Sequence, residues 1–427
     1  MKAVAHLCRF AVALSLIACV GCPPKQPPAA QVPAPEEKDY WAKLPPGEKA
    51  LVKIDPSRYP DFSAGYVNRD GLEEAIQNSL RYLNKKSSQK YFPYLDVSHQ
   101  RAVNSLHALL RVLHDARSPQ EFDQLIRERF EVYMSRGCDE RGTVLFTGYY
   151  RPIFDARLQP DAEFKWPLYK APPNLVKDNE GQTLGMKTPA GTVIPCWTRG
   201  QIEQLRPLAG QEIAWLRDRF EAYIVTVQGS GKLRLADGSF FEIGYAANNG
   251  YEYTSIGQEL IKNGEIQPEQ LSLQGLIRFF REHPDKLDKY LPLNQRYVFF
   301  QPRSGGPYGS LNEPVTPYRS IATDKSIYPR ACAALYVTQL PTRVGGTITN
   351  QPTSAFALDQ DTGGAIRAAG RCDIFMGTGD EVGELAGRTF AEGQLYYVFV
   401  KEGAGPPQTP GASVADNAAR SESAGTQ

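Results

Sequence analysis

Residues 360–387 read QDTGGAIRAAGRCDIFMGTGDEVGELAG and carry Asp361, Asp373 and Asp380 in three different settings. Asp373 enters the apolar run Cys372-Asp373-Ile374-Phe375-Met376, which has the composition of a strand. Apolar surroundings disfavour the ionised form of a carboxyl, the property that a general acid requires at neutral pH. Asp361 opens Asp361-Thr362-Gly363-Gly364, where an Asp followed by glycines makes a tight turn and its carboxylate accepts backbone N–H bonds. The same triplet hints at an aspartic protease loop, but that chemistry needs two such aspartates sharing one proton. A second Asp-Thr/Ser-Gly in a matching context is absent, so the turn is the better reading. Asp380 follows Gly377-Thr378-Gly379 in a loop entering a helix, where a cap accounts for it.

Outward from this segment, the hydrophobic period separates a helical part from a β-rich part. Residues 72–134 are predicted helical, with Leu72, Ala75, Ile76, Leu80 and Leu83 at helix spacing and Ser118-Pro119-Gln120-Glu121 as a capping box. From Thr143 the period changes, and 144–150 reads as a strand ending in Arg151-Pro152. A short helix is expected near 213–220, a strand pair at 223–228 and 232–235, and a hairpin turn at Ala236-Asp237-Gly238-Ser239 leading into 240–243. Helices near 255–262 and 273–281 precede a strand at 296–300 and short β segments ending at 395–400. The 37 glycines, 33 prolines and 11% aromatic content agree with many punctuated strands.

Charge and cysteine usage narrow the function. Lys+Arg number 48 against Asp+Glu 47 among 427 residues, leaving no long-range field to attract nucleic acid. Only 5 histidines and no CxxC beyond the leader leave a zinc site without support. The N-terminus has Lys2, His6 and Arg9, then a short apolar run ending in Leu16-Ile17-Ala18-Cys19-Val20-Gly21-Cys22. That pattern resembles an export signal with a lipoprotein cleavage box, Cys19 fitting better than Cys22 as the lipidated residue. A Pro/Ala/Gln-rich tether follows, and the chain beyond residue 402 is rich in Gly, Ala, Ser and Pro. Cys138, Cys196, Cys332 and Cys372 remain in the mature chain, and spacing does not say whether any pair.

Gln228-Gly229-Ser230-Gly231 is too short for a phosphate loop and lacks the following Lys-Ser/Thr. Asn248-Asn249-Gly250-Tyr251-Glu252-Tyr253-Thr254-Ser255, with Tyr149 and Tyr150, is dense in amides, hydroxyls and rings. Rings stack on pyranose faces while amides and hydroxyls bond to sugar hydroxyls, although packed tyrosines in ordinary turns account for the segments equally well.

Several long pieces in order carry a resemblance: FTGYYRP (146–152), VQGSGKLRLADG (227–238), IGYAANNGYEYTSIGQELI (243–261), REHPDKLDKYLPLNQRYVFFQ (281–301), TPYRSIATD (316–324) and residues 360–387. From about Leu72 to Val400 the chain resembles the membrane-bound lytic murein transglycosylase A family. The resemblance implies a mainly β fold with flanking helices (α+β), a double-psi β-barrel domain with a smaller inserted β-barrel domain and a groove between them. The implied organisation is signal and lipobox 1–22, tether 23–45, helices and first strand 46–152, insert 153–250, remaining barrel 251–402 and tail 403–427.

The implied activity is that of a carbon–oxygen lyase. It cuts the β-1,4 bond between N-acetylmuramic acid and N-acetylglucosamine in peptidoglycan, leaves a 1,6-anhydro ring and needs no cofactor or metal. Asp373 takes the place of the acid/base, Asp361 and Asp380 support it, and Thr147, Tyr149, Gln228, Ser230, Tyr253 and Thr254 are groove candidates. Partners would be glycan strands, the outer membrane through the lipid anchor on its periplasmic side, and other wall enzymes. A wall-binding protein without activity and a two-carboxylate hydrolase using Asp361 and Asp373 are the alternatives. The chain departs from the family pattern at Tyr318, where Gly is usual, at Tyr328-Pro329-Arg330-Ala331-Cys332, and at Cys372.

Overall fold

The computed structural model describes residues 38–178, 181–267, 270–363 and 366–402. The expected leader, Cys19, Cys22, most of the tether and the tail lie outside the described residues.

The long strands Ala333–Val344 and Thr347–Asp361 pair antiparallel from Ala333↔Leu358 to Val344↔Thr347. Gly345 and Gly346 turn the hairpin at φ +57° and +86°, a conformation in which a Cβ would be strained. From Thr347–Asp361 the ladder passes to Ser320–Ala322, then Arg371–Thr378, then Val144–Arg151, then Phe390–Val400, and back to Ala333–Val344. The result is a closed barrel of mixed parallel and antiparallel strands with no free edge in the ring. Leu51–Lys53 and Phe130–Ser135 extend the sheet from its Phe390–Val400 side.

Helices Leu72–Leu83, His99–Asp115 and Pro119–Arg129 bury Ile76, Leu109, Phe122 and Ile126 against barrel residues such as Phe356 and Leu358 in one apolar cluster. Ser118 caps the third helix by accepting the Glu121 N–H at 3.1 Å, with Pro119 in the first turn. The Glu121 carboxylate accepts the N–H of Arg117 at 2.8 Å rather than that of Ser118, so only half of the predicted box forms. The expected helical stretch 72–134 ends at Arg129, and Phe130–Ser135 is a strand because Phe130, Val132 and Met134 join the barrel sheet.

A second sheet runs Val298–Pro302, Phe240–Asn248, Ser230–Arg234, Ile153–Arg157, Glu212–Leu216, Trp166–Tyr169. A bridge between Lys170 and Phe300 brings its two outer strands together. Phe154, Leu168, Leu216, Phe220, Leu233, Ile243 and Phe300 form its core, separate from the first. Two corrections fall here. Residues 212–216 are a strand rather than part of a helix, and Arg219–Gln228 is a helix rather than a strand. The helix is set by Asp218, which accepts the N–H groups of Phe220 and Glu221, and by Gly229 at φ +75° after its last turn. Burial of Phe220, Tyr223 and Ile224 on one packed face overrides the β preference of this β-branched and aromatic stretch. The second body also takes in Ile256–Lys262, Leu273–Glu282 and Val298–Pro302, beyond the 153–250 expected for an insert, because Leu260, Phe279 and Phe280 pack into its core.

Inside the first barrel Asp359, with 0% of its side chain exposed, pairs with Lys325 and accepts the hydroxyls of Thr323 at 2.7 Å and Tyr397 at 2.8 Å. Burial pushes its carboxyl above the usual range, and Lys325 acts against that shift. Removing one member of a buried pair leaves an uncompensated group, so Lys325→Met is expected to lower unfolding free energy by about 3–5 kcal/mol. The change should appear as a shifted urea midpoint at constant slope. A loss below about 1 kcal/mol would mean that the barrel does not depend on this pair.

Candidate active site

Period-two alternation on Arg371–Thr378 sends Cys372 and Ile374 into the core, while Asp373 and Phe375 face an open cleft between the two sheets. The cleft has a volume of about 740 Å³ and is lined by residues of both sheets, among them Tyr149, Ser230 and Tyr245. In the parallel ladder Thr147 lies beside Asp373 and Tyr149 beside Phe375. Asp373, 21% exposed, accepts the Thr147 hydroxyl on Oδ1, and Arg371 Nη2 reaches the same oxygen at 3.2 Å. Arg371 also donates to Thr147 at 3.1 Å and lies over the Trp41 ring at 5.1 Å. Among the described residues no hydrogen bond occupies Oδ2 of Asp373.

Asp361 lies at the end of the neighbouring long strand, one strand removed from Asp373, with Ala322 paired to both. Its Oδ1 accepts the N–H groups of Ser310 and Thr362, each at 2.8 Å, and its Oδ2 accepts the Tyr149 hydroxyl at 2.9 Å. Burial pushes its carboxyl above the usual range, while these donors pull it back. Burial together with Asp361 holds the Tyr149 phenol well above its usual pKa, so Tyr149 stays a donor. The turn predicted from Asp-Thr-Gly therefore matches the Thr362 N–H bond to the side chain of Asp361.

Tyr149, Gln228, Ser230 and Tyr253 line the cleft with Asp361 and Asp373. Thr147 does not line it but touches Asp373. Thr254 is not in the lining; its N–H donates to Asn294 Oδ1 at 3.3 Å, which holds the chain entering the helix after Ser255. Asp380 is not in the lining either. It is exposed in the first turn of helix Asp380–Arg388, with Gly379 rather than Asp380 at the cap position. There its charge favours the helix dipole. The strand ends at Thr378 and the chain turns at Gly377 and Gly379, both at positive φ, which carries Asp380 away from the cleft.

Arg151, Arg296, Arg303, Tyr245 and Tyr308 also line the cleft and were not singled out from the sequence. Arg371 was recoverable, since a residue two before Asp373 on a strand shares its face. Arg303 and Tyr308 lie in the connection between the two bodies, where no period exists to aim a side chain. Cys196, Cys332 and Cys372 are buried thiols outside any disulfide, and Cys372 lies in the core on the face opposite Asp373.

Residues 145–301 match the family described as the MltA specific insert domain, and residues 319–399 match the 3D domain. Membrane-bound lytic murein transglycosylase A of Escherichia coli (strain K12) is 30% identical over 351 residues, covering 81% of this chain and 86% of that protein. The Vibrio cholerae protein of the same name is 31% identical over 279 residues, with 64% and 70% coverage. The crystal structure of the membrane-bound lytic murein transglycosylase from Agrobacterium tumefaciens superposes with a TM-score of 0.66 at 27% identity. The match covers 82% of this chain and 98% of that one. With two domain matches spanning most of the barrel and cleft, and relatives aligned over most of their length, this chain belongs to the membrane-bound lytic murein transglycosylase A family.

Proposed function

We propose that this chain cleaves the β-1,4 bond between N-acetylmuramic acid and N-acetylglucosamine in peptidoglycan without adding water, using Asp373 as its single acid/base. The observation that carries the reading is the state of Asp373. One carboxyl oxygen is held by Thr147 and Arg371, while the other has no partner among the described residues, on a side chain that lines the cleft. The protonated carboxyl gives its proton to the glycosidic oxygen as the C1–O4 bond breaks. The C6 hydroxyl of the same muramic residue then attacks C1, forms the C1–O6 bond of the anhydro ring and returns its proton to Asp373.

Ordinary glycosidases need a second carboxyl to activate water or to form a covalent intermediate. Here the nucleophile is tethered to the sugar whose bond is cut, and intramolecularity supplies the positioning. Asp361 fits this division of labour: both of its oxygens are engaged by Ser310, Thr362 and Tyr149, which suits a post that fixes the cleft wall better than a water-activating base. The E. coli relative has been solved with chitohexaose bound, in keeping with a linear sugar chain as occupant of such a cleft. The leader supports export and lipidation at Cys19, placing the enzyme on the periplasmic side of the outer membrane. Among the described residues no helix is long and apolar enough to cross a membrane.

Asp373→Asn is expected to lower release of soluble products from purified sacculi by roughly 10²–10⁴-fold, the usual worth of a general acid, with sacculus binding retained. Mass spectrometry of wild-type products should find anhydro ends, lighter by one water than reducing ends. Reducing ends alone would replace the lyase with a hydrolase. Tyr149→Phe removes the hydroxyl on Asp361 and keeps the ring against Phe375. It should lower kcat by roughly ten-fold, as loss of a hydrogen bond to a charged group of about 1.5–3 kcal/mol suggests, with little change in melting temperature. An unchanged kcat would remove Asp361 and Tyr149 from the site.

A further inference from the structure

The cleft contains arginines in two electrostatic states. Arg151 is matched by Glu242 at 3.2 Å and Arg371 by Asp373. Arg303 lines the same cleft, yet among the described residues no carboxylate comes within ion-pair distance of its guanidinium. It is nonetheless held in place. Its guanidinium lies flat over the Tyr308 ring, 3.5 Å from the centroid, and Nη1 donates to Asn312 Oδ1 at 2.6 Å. Its stem crosses Gly244, where a Cβ would stand 2.8 Å from Arg303 Cδ, so the absence of a side chain at that point makes room for the arginine. Asn312 itself sits at φ +60° in the turn Gly309–Glu313, and the next turn residue but one upstream, Ser310, donates its N–H to Asp361. The arginine is thus braced by the loop that also holds the half-buried Asp361.

An arginine fixed by stacking and by a neutral amide keeps its remaining N–H donors and its full charge for a ligand, at little cost in rotamer freedom. Its natural match is a carboxylate, gripped by two parallel N–H bonds. Arg296, which also lines the cleft, instead spends a donor on the Tyr251 carbonyl at 3.0 Å and lacks this link to Asp361. Peptidoglycan differs from a neutral chitin chain in carboxyl chemistry. Each muramic residue carries a lactyl group whose carboxyl is either free or amide-linked to a stem peptide, and the stem brings carboxylates of its own.

We propose that Arg303 is a substrate-recognition residue that binds a carboxylate borne by the muramic residue or its stem, so that the cleft selects anionic wall strands over neutral aminosugar chains. The inference rests on the murein-cleaving reading of the cleft and adds to it the feature by which the strand is chosen.

The test measures binding of three ligands in an Asp373→Asn background, where no cleavage interferes: strands with stems, strands whose stems have been removed to leave free lactyl carboxylates, and chitohexaose. Arg303→Gln should weaken binding of at least one anionic strand by roughly ten- to a hundred-fold, as expected for loss of a charge-assisted pair. Binding of chitohexaose should change by less than about two-fold. Loss confined to the stripped strands assigns the lactyl carboxylate, and loss confined to the stem-bearing strands assigns the stem. Equal loss on all three ligands would make Arg303 a clip for its loop and overturn the proposal, as would no loss on any. If Arg303→Gln does not fold, Arg303→Lys keeps the stem over Gly244 and carries the same comparison with a smaller loss, about three-fold or more. Failure of the murein-cleaving reading would appear separately, as an absence of soluble products from sacculi with the wild-type enzyme.

Discussion

The ladders that trap Arg371–Thr378 between Ser320–Ala322 and Val144–Arg151 fix the register on which the cleft depends. A slip of one residue would turn Cys372 and Ile374 outward and bury Asp373 in the core. Such a slip is blocked from both sides. Cys372, Ile374 and Met376 are packed in the apolar cluster, and Thr147, placed by the neighbouring parallel strand, holds the carboxyl from the other face. The same register brings Tyr149 beside Phe375, their rings 5.2 Å apart, and aims its hydroxyl at Asp361. Two aspartates twelve positions apart in sequence are thereby tied through one strand pair.

Closure of the ring adds rigidity that an open sheet would lack. Ser320–Ala322 is a three-residue strand, too short to hold its neighbours alone, yet it bridges the strands that bear Asp361 and Asp373. Its position is supported by buried side chains: Ser320 donates to Gln360 Oε1 at 2.5 Å and accepts the Thr316 N–H at 2.8 Å. Gln360 in turn donates to the Ala75 carbonyl and the Ser79 hydroxyl on the first long helix. The helical layer is therefore coupled by polar contacts, and by apolar packing, to the residue preceding Asp361. Buried polar networks of this kind are costly unless every member is paired, which restricts how the barrel and helices can shift against one another.

Much of this was legible before any coordinates. The strand through Asp373, the turn at Asp361, the helices before residue 130 and the presence of Tyr149, Tyr150 and Tyr253 in the lining follow from alternation, turn chemistry, helix spacing and residue type. Asn248 and Asn249, by contrast, are buried and bond within the second body instead. Tyr318 is instructive: it replaces the glycine usual in the resembling family, and it adopts φ +59°, the region that glycine tolerates best. The Tyr318 N–H donates to the Phe375 carbonyl at 2.6 Å and its carbonyl accepts the Tyr336 hydroxyl, so surrounding contacts hold a conformation that the side chain disfavours. What was not legible has a common cause. The 212–228 region carries β-favouring residues in both of its elements, and only packing against the second core decides between strand and helix. Asp380 stood close to Asp373 in sequence, but two glycines at positive φ separate them in space.

The contacts around the Asp373 carboxyl are asymmetric. Arg371 and Thr147 both reach Oδ1 of Asp373, so they orient the group while Oδ2 has no hydrogen-bond partner among the described residues. The carboxyl thus sits at the edge of an apolar barrel, with one cation and one hydroxyl on a single oxygen, held by residues drawn from two adjacent strands. The second body contributes Gln228, Ser230, Tyr245 and Tyr253 to the lining of the same cleft.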